Sequence, residues 1–191
     1  DDAFVQQNYQ CETVEEYKEK VKSYLKADSK TNKETDTRQE VINKLQEVCE
    51  VTIPDELLEA RVADSIVIFT NRNCSDGVTL KVFLDTNFNG MTEEDFRSDI
   101  SNEVQTTLQT ELILEAIAKQ EGIELEEEAF QEYVQQQMEA NGYESAEDFY
   151  KANGVNADSG EAYERKVFVC NRALDLVIDN ASIKYGVTAE S

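Results

Sequence analysis

Pro54 is the one proline in a chain of 191 residues, and only seven glycines accompany it. Proline and glycine are the residues that break regular backbone, so a chain this poor in both is biased toward long helices over short strands joined by turns. The apolar periodicity agrees. Val14, Tyr17, Val21 and Tyr24/Leu25 recur at helical spacing behind a Thr13/Glu16 capping pattern, which predicts a helix over about 14–26. Residues 27–37 are wholly polar, and the pattern allows either a solvated continuation or a hinge. Val41, Ile42, Leu45 and Val48 mark a helix over 36–48, and a short extended stretch, 49–53, leads to Pro54. Leu57, Leu58, Val62, Ile66 and Phe69 then share a helix that ends in the turn cluster 71–77.

Further along, a short helix carries Leu80, Phe83 and Leu84 and stops at Asn87–Gly90. Thr92, with Asp95 three residues on, caps a long helix over 93–120. Its inward residues are Phe96, Ile100, Val104, Leu108 and Leu112, then Ile113, Ala116 and Ile117. Residues 125–140 form the next helix, with Ala129, Phe130, Tyr133, Val134 and Met138 on one side. Ser145 and Asp148 open a short helix, and a last long one covers 159–184 with Val167, Cys170, Ala173/Leu174, Val177 and Ile178 inward. No segment alternates in the manner of a strand. The expected fold class is all-α.

The formal charge is −23, with 41 acidic residues against 18 basic. Such a surface repels nucleic acid and anionic membrane, so neither is an expected partner. There is no histidine, and Cys11, Cys49, Cys74 and Cys170 lie far apart, which removes the usual nucleophile–base pairs and any zinc-ligand spacing. Paired carboxylates arise by chance in so acidic a chain, and a solvated helix face accounts for them. Asp85-Thr86-Asn87-Phe88-Asn89-Gly90 matches the first half of a calcium loop, but Phe96 stands where the bidentate glutamate belongs. An Asn-Gly turn between two helices is the better reading. No catalytic residue, metal or cofactor is expected.

The apolar residues ask for more explanation. Ile66, Val67, Ile68 and Phe69 are consecutive and cannot all face one core; Val82-Phe83-Leu84 and Phe88 repeat the problem after the turn. Helices apolar on several sides are buried between neighbours or bind something.

Five segments, in order, resemble the C-terminal domain of trigger factor, the bacterial folding chaperone family. They are DDAFVQQNYQCETVEEYKEKVKSYL, VINKLQEVCEVTIPDELLEARV, GMTEEDFRSDI, ILEAIAKQEGIELEEEAF and NRALDLVIDNASI. The resemblance implies an elongated helical domain with a central body and two projecting arms. It places a linker helix at 1–35, following an absent isomerase domain, and a chaperone domain at 36–191. The first arm would fall at about 54–91 and the second at about 122–157. It implies a chaperone that needs no ATP and holds unfolded or nascent polypeptide, and no enzyme within this chain. Ribosome contact would come only through a domain absent here. The polypeptide-binding candidates are Ile68, Phe69, Phe83 and Phe88 on the first arm, with Met138, Tyr143, Phe149 and Tyr150 on the second. The alternative is an acidic helical adaptor for one folded partner.

The chain opens on Asp1-Asp2-Ala3-Phe4 without methionine or signal pattern, so a piece of a longer protein is expected. The cytoplasm is the expected compartment. The family does not lead one to expect four cysteines, and an extracytoplasmic, secreted or lipid-anchored relative is the alternative. A Cys49–Cys74 disulfide would belong to that second setting.

Overall fold

A computed structural model describes residues 1–74 and 77–182. Among them there are eight α-helices and no strand: α1 (Asp2–Tyr9), α2 (Val14–Val48), α3 (Asp55–Asn73), α4 (Leu80–Asn87), α5 (Glu93–Glu121), α6 (Glu127–Asn141), α7 (Ala146–Asn153) and α8 (Ala157–Asn180). The all-α expectation therefore holds. Ser75 and Asp76 of the predicted turn, and residues 183–184 of the last helix, lie outside the described residues.

The chain divides into two compact units, Asp1–Asn43 and Lys44 onward. In the first, α1 ends at Gln10, which takes a left-handed conformation (φ 54°), and the chain turns into α2. Asp2 Oδ1 accepts from the Val14 amide at 2.9 Å, and the Tyr9 and Tyr17 rings lie 4.5 Å apart. Val5 and Cys11 are buried at this corner. The capping pattern at Thr13 is realised in part: its Oγ1 accepts from the Glu16 amide at 3.1 Å, while the Glu16 carboxylate accepts from the amide of Glu12.

The polar stretch 27–37 is helical, so it is a solvated continuation within α2 and not a break between two helices. Nothing in it breaks the backbone, and side chains reinforce the turns locally. Thr31 Oγ1 donates to the Ala27 carbonyl at 3.1 Å, and Asn32 donates to Asp28 at 3.1 Å.

In the second unit α5 packs against both α3 and α8, and α8 packs against α7 and α6. Val62, Val104 and Leu108 form the α3–α5 core. Covering α5 on two sides widens its buried arc: Glu111, Ile113, Leu114 and Ala118 are buried, whereas Ala116, expected inward, is exposed. A second core joins Phe130, Val134, Phe149, Tyr150 and Phe168 from α6, α7 and α8. Arg165 fastens α6 to α8, donating to both Glu127 oxygens at 2.7 and 2.9 Å while its guanidinium sits 4.5 Å from the Phe130 ring centre. These hydrogen bonds from Arg165, helped by Gln131, lower the Glu127 carboxyl from an ordinary 4.5 to about 2.

Caps set the helix starts. Thr92 accepts from the Asp95 amide, Ser145 from Asp148, and Asn156 forms a reciprocal capping box with Ser159. That box starts α8 at Ala157, two residues ahead of the predicted start.

Gly160, in the first turn of α8, is buried where the backbones of α7 and α8 meet, and a Cβ there would run into the Tyr150 carbonyl. Gly160→Ala is therefore expected to destabilise the fold by about 3 kcal/mol, since backbone cannot yield as a side-chain tip can. A urea unfolding curve measures it. The Glu127 clamp gives a pH dependence. Because its folded pKa is depressed, the contribution is present above about pH 4.5 and is lost as the pH falls through about 2. Melting temperatures of the parent and Glu127→Gln are expected to differ at neutral pH and to converge across that window.

Candidate functional site

The aromatic residues singled out between α3 and α5 come together. Phe69 of α3 lies 5.7 Å from Phe83 of α4, 6.4 Å from Phe88 and 4.8 Å from Phe96 of α5, between ring centres. Phe88 also meets Phe83 at 6.1 Å and Phe96 at 6.5 Å. Edge and tilted contacts of this kind suit the ring quadrupole. Thr79 caps α4 through the Val82 amide, and Phe88 follows its last residue, its amide donating to the Leu84 carbonyl at 2.9 Å. Asn89 and Gly90 then take left-handed conformations (φ 52° and 79°) that turn the chain toward α5. Asp85 to Asn87 are helical, so the calcium-like motif is a helix end followed by a turn.

Below the rings, Leu84 and Phe96 are buried. Phe69 and Phe83 are half-buried, and Phe88 is 39% exposed. Val67 and Val82, 40% and 51% exposed, add apolar surface on the same two helices. Neither valine stood among the sequence candidates, although both sit in the consecutive apolar runs.

Ile68 is half-buried and lies at a groove of about 420 Å3 whose walls include Arg61, Phe69, Leu108, Glu111 and Tyr163. A neighbouring cleft of about 320 Å3 shares Arg61, Ile68, Asn153 and Tyr163 with it. Glu111 Oε2 accepts from Lys166 Nζ at 2.6 Å and from Arg61 at 3.3 Å, so this one carboxylate ties α3, α5 and α8 together. Its Oε1 is buried and finds no hydrogen-bond donor among the described residues. Arg61 also stands 5.2 Å from the Tyr163 ring centre. Burial first, then the Glu111 charge, pushes the Tyr163 phenol up to about 12 despite Arg61. It stays neutral.

The second group of candidates is placed differently. Met138 and Tyr143 are half-buried at the edge of the α6–α8 core. Phe149 and Tyr150 are 4% and 8% exposed and belong to that core. α7 is only eight residues long and packs against α8, α6 and α3, so both of its aromatic residues find cover. Tyr133 donates to the buried Glu164 at 2.8 Å in the same region, and burial raises the Glu164 carboxyl.

Among the described residues no group of three or more His, Cys, Asp or Glu could hold a metal ion. All four cysteines are free thiols, and burial, with the Glu115 and Glu111 charges, pushes Cys170 up to about 11. Its thiolate is scarce at neutral pH. No described helix is long and apolar enough to cross a membrane.

The class is an all-helical domain with a half-open aromatic cluster and a groove of mixed apolar and polar walls. Comparison with known proteins narrows it. Residues 13–169 match the family described as "Bacterial trigger factor protein (TF) C-terminus", and the chain belongs to that family. Similar relatives named "Trigger factor" include one from Agathobacter rectalis, 28% identical over 94% of this chain and 39% of that protein. One from Shouchella clausii is 29% identical over 100% of this chain and 42% of that protein. One from Pelotomaculum thermopropionicum is 30% identical over 70% of this chain and 30% of that protein. The chain thus spans about two-fifths of the length of the first two relatives. No solved structure matches it.

Removing Glu111 would leave Arg61 and Lys166 without the carboxylate between them. Glu111→Ala is expected to cost about 3 kcal/mol in chemical denaturation, because Arg61 and Lys166 lose the carboxylate they share and Lys166 falls back on Glu115 at 3.4 Å. A Glu111→Ala/Lys166→Met double change is expected to recover part of that loss.

Proposed function

We propose that this chain is a chaperone domain that holds unfolded or nascent polypeptide transiently, without ATP, through scattered apolar surfaces. The observation that carries this reading is the half-open ring cluster of Phe69, Phe83 and Phe88, with exposed Val67 and Val82 as further apolar surface on α3 and α4. Membership of the trigger factor C-terminal family supports it, and nothing in the family match favours the adaptor alternative. The first arm is proposed at about 54–91, with Ile68 and the three rings as client contacts. The second is proposed at about 122–157, with Met138 and Tyr143 at its accessible edge and Phe149 and Tyr150 supporting them from the core. Residues 1–35 would link to a preceding domain.

The energetics suit rapid release. Fully burying a phenylalanine contributes roughly 2 kcal/mol, and these rings are already partly buried, so each contact gives less. Several weak patches on one client then raise avidity without any single tight site. Methionine and aromatic side chains adapt to varied partners. The −23 charge would keep such a surface from joining to its own copies. No covalent chemistry is assigned to this chain, and any isomerase or ribosome-binding activity would reside in other parts of a parent protein. The proposed compartment is the cytoplasm.

The test is suppression of light scattering when a denatured client is diluted into an excess of the chain. Val82→Ser with Phe88→Ser is expected to weaken client holding roughly tenfold, the equivalent of about 1.4 kcal/mol. Phe88→Ser also removes ring contacts with Phe69, Phe83 and Phe96, so the urea midpoint should fall somewhat, and holding is compared under conditions where a urea curve shows parent and variant both folded. Unchanged suppression by that variant would remove the cluster from the client surface, and no suppression by the parent chain would end the chaperone reading.

A further inference from the structure

A shallow groove of about 520 Å3 runs along α2, and every residue that lines it, from Tyr17 to Ser29, belongs to that one helix. It has the form that one side of a helix–helix interface takes. Val14, Tyr17, Val21 and Tyr24 follow the alternating three- and four-residue spacing of a helix-pairing seam. Tyr9 covers the start of the seam through its contact with Tyr17. Beyond that point Tyr24 and Leu25 are 69% and 57% exposed. Such exposure serves no packing within the helix. Tyr17 to Ser29 spans ~18 Å at 1.5 Å per residue, enough to seat about three turns of a partner helix.

The charge beside this seam reverses that of the chain. Residues 18–33 hold six lysines against two acidic residues, in a protein of net charge −23. Lys18 and Lys20 fall at the two positions flanking the seam, and Lys22 and Lys26 extend the same row as Lys18 along the groove. Lys18 and Lys22 are 67% and 60% exposed and pair with Glu15 at 3.6 Å and Glu19 at 3.5 Å within the helix. Exposed pairs at that distance contribute little and are readily exchanged for better partners. A second copy seated on the same face in antiparallel register would set its flanking lysines against lysines, which disfavours self-pairing.

We propose that this face of α2 docks an acidic amphipathic helix of a separate protein, with apolar residues on the seam and glutamate or aspartate beside the lysines. The face lies entirely within the first compact unit, and the proposal stands independently of client holding by the second. The partner's carboxylates would complete the lysine row, and its apolar side chains would cover Val21, Tyr24 and Leu25.

The experiment titrates the full chain against a short fluorescein-labelled helical peptide with leucine at the seam positions and glutamate at the flanks, read by fluorescence anisotropy. A twin peptide carries lysine at the flanks. Saturable binding of the acidic peptide, at least roughly tenfold tighter than the twin and weakened by salt, is expected. Lys18→Glu with Lys20→Glu should reverse that preference, and Tyr24→Ser with Leu25→Ser should weaken both. Circular dichroism checks that the variants remain helical, and the charge variant should suppress client aggregation as the parent does. Equal affinity for the two peptides, or indifference to charge reversal, would overturn the proposal. So would sedimentation equilibrium showing a dimer that Tyr24→Ser/Leu25→Ser dissociates, or phosphatidylserine vesicles that displace the acidic peptide.

Discussion

Glu111 holds the second unit together. Three helices that are distant in sequence bring one carboxylate, one guanidinium and one ammonium to a common point, with Lys166 at 2.6 Å and Arg61 at 3.3 Å. Glu115 adds a second carboxylate 3.4 Å from Lys166. Burying charge is costly, and a hydrophobic trio of similar volume would match or exceed such a group in stability. What an apolar trio lacks is direction. Helices α3 and α8 flank α5 along greasy surfaces that would tolerate sliding, and a charge cluster with fixed hydrogen-bond geometry fixes one register. The same consideration applies to Arg165 across α6 and α8, where two parallel hydrogen bonds and a ring face set the distance and the angle together.

With its helices registered in this way, the unit seats α4 through the buried Leu84, and buried Phe96 of α5 carries the rings of Phe69 and Phe88. Phe88 stands at the helix end, where the left-handed Asn89 and Gly90 carry the chain away from it and leave its outer face uncovered. The aromatic surface is a consequence of a short helix meeting a tight turn. An abundance of carboxylates elsewhere makes that surface tolerable, because like charge opposes the approach of copies.

Most helices were legible from apolar periodicity or a cap, and the starts at Thr92 and Ser145 fell where their side chains predicted; α1, capped by Asp1, was not foreseen as a helix of its own. Three further things were not legible. The stretch 27–37 carries no apolar period, so nothing in its pattern could separate a hinge from a solvated helix; local bonds from Thr31 and Asn32 are visible only in three dimensions. Covering α5 on two sides blurred its single predicted stripe. And the eight residues of α7 are flanked by several helices, so Phe149 and Tyr150 look like surface candidates in sequence and prove to be core. For the candidate site, sequence located the rings Phe69, Phe83 and Phe88 but could not grade their exposure, which depends on where α5 passes. The Glu111 hub was invisible, one acid among 41.

Partial burial also bears on how a holding surface should work. A ring standing free in water would gain the whole transfer free energy on meeting a client, roughly 2 kcal/mol, and several together would bind too tightly to let go. Here each ring has already made part of its contacts with its neighbours, at centre separations between 4.8 and 6.5 Å. On the proposed reading a client would gain only the remainder, and the rings would lose little when it left. Preorganisation works in the opposite direction, because rings packed against Phe96 have little side-chain freedom left to lose on contact. The affinity of each patch would then be set by the balance of the two, with the packing beneath it limiting the area still to be gained.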